Sequence, residues 1–345
     1  MHIGPYKFDN PVFLAPMAGI TDQPFRKLCL SLGAGHAISE MTTAIPDLLS
    51  SRKTTLRRQH LQGFGPAHVQ IAGYDPEQMA NAARFNVEQG ADIIDINMGC
   101  PAKKVCNRLS GSALLRDEGL VREILLAVTQ SVDVPVTLKT RTGWDRSNRN
   151  ALRIGELAEE AGIKALTLHG RTRCDFYKGE AEHETLSALR KHISIPLIAN
   201  GDILDIDNAR RLLEECGANA IMIGRGAQEQ PWLPGRIANA LASGILPPPP
   251  DNQQKRDILL GLVADMHEFY GESQGIRMAR KHISWQLSPM KLSRDQRNTL
   301  LRTSDTQTQL SGIAAVFEHV DATVEQSLSD SGMARQTNSE MYKAA

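Results

Sequence analysis

Eight short apolar runs, each closed by polar or glycine residues and followed by helical periodicity, limit what this chain can fold into. They are Val12–Ala15, His36–Ser39, His68–Ile71, Ile93–Asn97, Pro135–Lys139, Ala165–His169, Pro196–Asn200 and Ala220–Gly224. The segments between them are amphipathic, as in Pro76–Val87, Leu152–Ala161 and Ile206–Cys216. Gly90, Gly162 and Gly217 stand where such helices must stop before the next strand. Eight βα units in series predict an α/β fold of the TIM (β/α)8-barrel type. A doubly wound sheet is the other arrangement of the same units, because strand order is not written in a sequence.

The 345 residues exceed what eight such units need. Four consecutive prolines, Pro247–Pro250, form a stiff extended spacer that no helix can continue through. We therefore expect a barrel over residues 1–244 and a small C-terminal helical domain over 251–328. Helices are predicted at Lys255–Tyr270, Gly275–Leu287 and Arg294–Arg302, with a last one over 311–328. The polar tail 329–345 is expected to be disordered. The start, Met1–Phe8, has no apolar core of a signal peptide, and no apolar run is long enough to span a membrane. The five cysteines lack paired spacing, which argues against a disulfide framework and for a cytoplasmic protein; no zinc-ligand spacing occurs. No obligate protein partner is evident.

Polar residues collect at the carboxyl ends of the runs: Gln70, Asn97, Cys100, Lys139, His169, Asn200, Asp202 and Arg225. In α/β folds that is where chemistry is kept. The last two strands end in Asn200-Gly201-Asp202 and Gly224-Arg225-Gly226. In TIM barrels these two loops often hold a phosphate on backbone N–H groups, and Arg225 can add a charged fork. Two tight turns are the plain alternative.

Lys139 sits within an apolar strand and needs an anionic partner, unless it reaches solvent. Schiff-base chemistry and stabilisation of a reduced flavin are both open to it. His169 could face a phosphate or a base, or close its strand as a structural residue. Cys100 could be a small core residue, a metal ligand or a nucleophile, but no metal partners are spaced for it. As a proton donor it fits well, since an ordinary thiol is protonated at neutral pH. Lys103 and Lys104 would work against that role by lowering its pKa.

Read in order, several segments resemble the tRNA-dihydrouridine synthase family and, within it, the bacterial B-type branch. They are Ala15-Pro16-Met17-Ala18-Gly19-Ile20-Thr21-Asp22, Val69–Gly73, Asp95-Ile96-Asn97-Met98-Gly99-Cys100-Pro101, Leu138–Arg141, Leu168–Arg171, Asn200–Asp202 and Gly224–Gly226. The resemblance implies FMN-dependent reduction of the C5–C6 double bond of uridine in tRNA, in its D-loop, with NADPH as reductant. It implies that Pro16, Met17 and Ala18 line the flavin, that Gln70 bonds its polar edge and that Lys139 lies near the electron-accepting edge. The phosphate would rest on Asn200, Gly201, Asp202, Gly224 and Arg225. His169 would serve the flavin or the base, Asn97 and Arg171 would hold the uracil, and Cys100 would protonate C5.

The net charge is zero, which argues weakly against nucleic acid, yet Gly275–Arg302 holds seven basic residues and one acidic, +6 locally. Arg277, Arg280 and Lys281 share a helical face there and are the expected tRNA contacts. Arg52, Lys53, Arg57 and Arg58 form a second basic patch. Two other readings use the same features: a flavoenzyme of free pyrimidines and a non-catalytic tRNA-binding protein. The basic appendix speaks against the first. Cys100 and Lys139 speak against the second.

Overall fold

The computed structural model describes residues 1–290 and 292–319. The chain divides into two compact units, Met1–Pro247 and Pro248–Ala345.

The first unit opens with a hairpin, β1 (His2–Ile3) and β2 (Tyr6–Lys7). Nine parallel-paired strand segments follow: β3 (Val12–Leu14), β4 (His36–Ala37), β5 (Thr42–Thr43), β6 (His68–Ala72), β7 (Ile93–Met98), β8 (Val136–Arg141), β9 (Ala165–His169), β10 (Leu197–Asn200) and β11 (Ala220–Ile223). Their lateral order is β4-β3-β11-β10-β9-β8-β7-β6-β5. The two ends belong to one strand of the barrel. β4 pairs with β3, β5 pairs with β6, and between them Ser39 N–H donates to His68 O. The second strand therefore breaks as it crosses from one neighbour to the other, and the sheet closes into an eight-stranded (β/α)8 barrel.

The expected runs are strands, with two differences. The second run splits, and the N-terminal hairpin was not foreseen. Ile3 is fully buried in one cluster with Phe8, Phe13, Ile93, Ala165, Ile198 and Ala220, several of which begin their strands. The hairpin thus plugs the amino-terminal end of the barrel, and Tyr6 Oη donates to Asp92 just before β7. Its apolar period is too short to register as a strand pair on sequence alone. The glycine stops behave as expected: Gly90, Gly162 and Gly217 have φ of 90°, 86° and 70°. The helix begun at Ile206 widens into a π turn, with Cys216 N–H donating to Arg211 O at 3.2 Å.

The second unit is helical. Its first helix runs Asn252–Tyr270, three residues earlier than expected, because Asp251 and Gln254 form a reciprocal capping box. Glu272–Gln286 follows Gly271, whose φ is 80°. Arg294–Arg302 starts on a second capping box, Ser293 with Gln296, and residues 306–319 are helical. The expected tail 329–345 lies outside the described residues. No helix among them is long and apolar enough to cross a membrane.

The barrel interior carries two stacked imidazoles. His36 Nε2 lies 3.0 Å from His68 Nδ1, and His68 Nε2 lies 3.0 Å from Thr137 Oγ1. Burial and Arg26 push His36 down to about 3, and burial and His36 push His68 well below its ordinary value. Both stay neutral when folded and take up a proton on unfolding below about pH 6.5. Burial raises Asp95 to about 6, which works the other way between about pH 6 and 4. Two histidines outweigh one carboxyl, so acidification from pH 7 to pH 5 destabilises the barrel. In urea titrations, His36→Phe should flatten this slope by about 1.4 kcal/mol per pH unit below pH 6, one proton's worth. Equal slopes in the two proteins would show that His36 does not resist protonation.

Candidate functional site: the carboxyl-terminal mouth of the barrel

The expected residues of the first unit do converge at the strand ends. β7 and β8 pair with Asn97 opposite Lys139 and Asp95 opposite Thr137. β6 sets Gln70 opposite Asp95, and β10 sets Asn200 opposite His169. Inward side chains of neighbouring strands therefore meet in layers, and polar ones must pair because all but the half-buried Asn200 are buried.

One layer is a continuous chain. Thr137 Oγ1 donates to Asp95 Oδ1 at 2.6 Å and Gln70 Nε2 donates to Asp95 Oδ2 at 2.6 Å. Asn97 Nδ2 donates to Gln70 Oε1 at 2.8 Å. Asn97 Oδ1 then accepts from Cys100 N at 3.0 Å and Gly99 N at 3.3 Å. With His68 and His36 the chain crosses the barrel from its interior to the Cys100 loop.

That loop is held on its other side as well. Cys100 O accepts from Ser112 Oγ at 2.8 Å, and a Cβ on Gly111 (φ 64°) would come within 2.8 Å of the same oxygen. Cys106 is buried beneath, its Sγ 3.6 Å from Cys100 O. The Cys100 thiol is partly exposed and its pKa is raised. Burial is the main cause and outweighs the lowering by the Ala102 backbone N–H, Arg141 and Lys139. Lys103 and Lys104, which could have lowered it, are not among the causes, so the thiol is protonated at neutral pH, as the proton-donor reading requires.

Lys139 is 8% exposed, and its Nζ donates to Asn200 Oδ1 at 2.9 Å; Asn200 Nδ2 in turn donates to Met222 O at 2.7 Å. Burial and Arg141 push Lys139 down to about 8, against the pull of Asp95. It does not reach out to bulk solvent. His169 is pushed well below its ordinary value, first by burial and then by Arg141, Lys139, Arg171 and Arg225. Four cations thus bear on one neutral imidazole.

Two expected ligand residues hold each other. Arg171 is 3% exposed and donates to Asp202 Oδ2, Gly179 O and Lys178 O. Asp202 also accepts from Ala181 N at 2.8 Å and Arg225 Nη2 at 2.9 Å. Arg171 is therefore committed to the loops after β9 and β10 through three oxygens. Arg225 is half exposed and lies over the Tyr177 ring at 4.9 Å. Beside it, after the neighbouring strand β3, Met17 N donates to Thr21 Oγ1, and Gln228 Nε2 reaches Met17 Sδ at 3.4 Å. Pro16 and Met17 are half-buried and Ala18 is exposed.

Sequence reasoning passed over four contributors: Asp95, Thr137, Glu40 and Arg141. Glu40 is buried, accepts from Gly19 N and forms an ion pair with Arg57, tying the Pro16–Ala18 loop to the second strand. Arg141 is 1% exposed and donates to Gly99 O, Thr172 O and Phe176 O at 2.7, 2.9 and 2.9 Å. An acid or arginine inside a β-branched run was the available signal for three of the four.

In the second unit, Arg277 is exposed, whereas Arg280 and Lys281 are half-buried. Arg280 Nη2 donates to Thr303 O at 3.1 Å, so it ties a loop as well as lending charge. Arg294, Arg297 and Arg302 are exposed; Lys291 lies outside the described residues. In the other basic patch, Arg57 donates to Met41 O, while Arg58 donates to Leu49 O and covers Phe85.

The architecture is shared with a histamine dehydrogenase from Rhizobium sp. 4-9 (TM-score 0.53, 14% identity, 76% of this chain and 50% of that one). It is shared too with a variant of NCR from Zymomonas mobilis (TM-score 0.50, 18% identity, 72% and 91%). Fold and mouth together define a barrel enzyme whose strand ends carry a protonated thiol beside a cationic cluster. The family model for dihydrouridine synthase (Dus) matches residues 13–325. The tRNA-dihydrouridine synthase B of Pseudomonas aeruginosa is 52% identical over 317 residues, 92% of this chain and 96% of that one. That of Xanthomonas axonopodis pv. citri is 50% identical over 330 residues, 96% and 99%. The chain belongs to the dihydrouridine synthase family and is an oxidoreductase.

Arg141 gives this site its sharpest stability test. A lysine keeps the charge but cannot serve three carbonyls from one planar fork. Arg141→Lys should cost about 2–4 kcal/mol through lost bonds to a buried cation. It should also open the 172–180 loop to proteolysis. A melting temperature within a degree of wild type would exclude this role.

Proposed function

We propose that the protein reduces the C5–C6 double bond of uridine in tRNA, in the D-loop, to 5,6-dihydrouridine in the cytoplasm. The observation that carries this reading is a thiol kept protonated by burial at the same mouth as the buried Lys139. The family and the names of the relatives at about half identity supply the substrate.

The donor set suits FMN. Lys139, Arg141, Arg171 and Arg225 gather around His169, opposed mainly by Asp95 and Asp202, and the positive surplus matches an anionic cofactor. Asn200, Gly201, Asp202, Gly224 and Arg225 would hold its phosphate. Pro16, Met17, Ala18 and Gln70 would line the ring. When bound, FMN would supply the hydride for C6, drawn in turn from NADPH. Lys139 holds positive charge where negative charge would accumulate. Asn97 would meet the uracil, and a flipped base would expose C5 to the thiol. Cys100 Sγ gives its proton to C5 and is reprotonated from solvent, so the base gains one hydride and one proton. Arg171, already bound to three oxygens, is better suited to shaping the pocket wall than to holding the base.

Positive charge on the second unit would meet the phosphates. Arg277 with Arg294, Arg297 and Arg302 is the exposed part of the predicted basic region, whereas Arg280 and Lys281 contribute less directly.

Two measurements test the reading. Cys100→Ala should bind flavin and be reduced by NADPH as wild type is, while dihydrouridine formation in tRNA drops by about 100-fold or more, the scale of a lost general acid. Unchanged turnover on tRNA would refute the acid role. Arg277→Gln combined with Arg297→Gln should weaken tRNA binding and lower the slope of log affinity against log salt by up to about 1 per lost phosphate contact. NADPH oxidation with oxygen as acceptor should continue. A salt slope equal to wild type would remove this helix pair from the RNA surface.

A further inference from the structure

The polar chain through the barrel contains two side-chain amides, Gln70 and Asn97. Either can be turned over end for end, exchanging donor for acceptor at little intrinsic cost. Something must decide their sense. The chain's one acid is Asp95, fully buried and accepting from Gln70 Nε2 and Thr137 Oγ1 at 2.6 Å each. A carboxylate only accepts. Gln70 must therefore present its NH2 to Asp95 and its carbonyl to Asn97. Asn97 must then spend its NH2 on Gln70 and keep its carbonyl for Gly99 N and Cys100 N. A reversed Gln70 would set its carbonyl against the Asp95 carboxylate and its NH2 against that of Asn97; a reversed Asn97 would turn its NH2 to the backbone N–H groups, and the Cys100 loop would lose its anchor.

We propose that Asp95 is a positioning residue, which sets the sense of the hydrogen bonds through Gln70 and Asn97 and thereby holds the Cys100 loop. The proposal rests on the acid role of Cys100 only for its catalytic consequence. The geometric part stands alone.

The other half of the chain is built differently. Thr137 donates to Asp95, so its oxygen accepts from His68 Nε2–H, and His68 Nδ1 accepts from His36 Nε2–H. A hydroxyl rotates and a neutral imidazole changes tautomer, so this tail can run in either sense. An asparagine at 95 has one acceptor and one donor end. It keeps Gln70 in place only if its NH2 faces Thr137 and the tail reverses. Thr137 then donates to His68 Nε2, and His68 Nδ1–H donates to His36.

Asp95→Asn should therefore move the proton of His68 from Nε2 to Nδ1, read from the 15N shifts of labelled histidine. Cys100 should stay within about twofold of wild type in its rate of alkylation, followed on its peptide by mass spectrometry. Thr137→Val closes the escape. Alone, it should leave Cys100 nearly unchanged, because Asp95 still fixes Gln70. Combined with Asp95→Asn, it should free the loop, let the raised thiol pKa fall toward its ordinary value and speed alkylation at pH 7 by about tenfold per pKa unit. Turnover on tRNA should fall further in the double variant than the two single losses combined. Such non-additivity is the mark of coupling and not of lost packing. The proposal is overturned if Asp95→Asn changes neither the His68 tautomer nor Cys100 reactivity. It is also overturned if Thr137→Val affects Cys100 equally in both backgrounds. Alkylation is read without flavin or tRNA, so a failure here is separate from a failure of Cys100 as acid, which Cys100→Ala reports.

Discussion

A closed parallel barrel leaves the polar side chains that point inward with no water to fall back on. Each must find its partner on an adjacent strand, and this constraint organises the mouth of the protein. Register decides who meets whom: Asp95 lies opposite Gln70 on one side and Thr137 on the other. Unpaired, a buried amide or hydroxyl would cost about 1–3 kcal/mol and a buried carboxylate more. The chain from His36 to Asn97 meets that demand link by link.

Charge follows the same logic at larger scale. Lys139, Arg141 and Arg171 are all less than one-tenth exposed, and each is satisfied mainly by oxygens that carry no full charge. Carbonyls solvate these cations without neutralising them, and Asp202 forms its ion pairs with Arg171 and Arg225. The mouth keeps a positive potential while its hydrogen bonds are satisfied. Burial first, and the same field after it, lower the pKa of His169 and hold it neutral. The Cys100 thiol feels burial more than charge and keeps its proton. One small volume can thus hold an anion and offer a proton at the same pH.

Much of this was legible in the residues. The eight apolar runs, their order, the glycine stops and the proline spacer are local signals, and local periodicity suffices to place them. The gathering of Gln70, Asn97, Cys100, Lys139, His169 and Asn200 followed from their shared position at strand ends. The hairpin at Ile3 and the break between Ala37 and Thr42 could not be read, because closure of the barrel creates the need for both. Arg171 and Arg280 looked like free cations in the sequence. Only loops distant along the chain, at Asp202 and at Thr303, reveal that their guanidinium groups are engaged.

What the sequence by itself determined is the set of elements and the chemistry available at their ends: a thiol, a lysine, three amides and two glycine-bearing loops. Periodicity and residue type are properties of neighbours along the chain, so these survive without a structure. What only the tertiary structure decided is the direction in which each group works. Whether an amide gives or takes a hydrogen bond, whether a thiol keeps its proton and whether an arginine is free depend on groups tens of residues away. Strand register brings those groups within 3 Å, and burial removes the water that would otherwise make the choice indifferent.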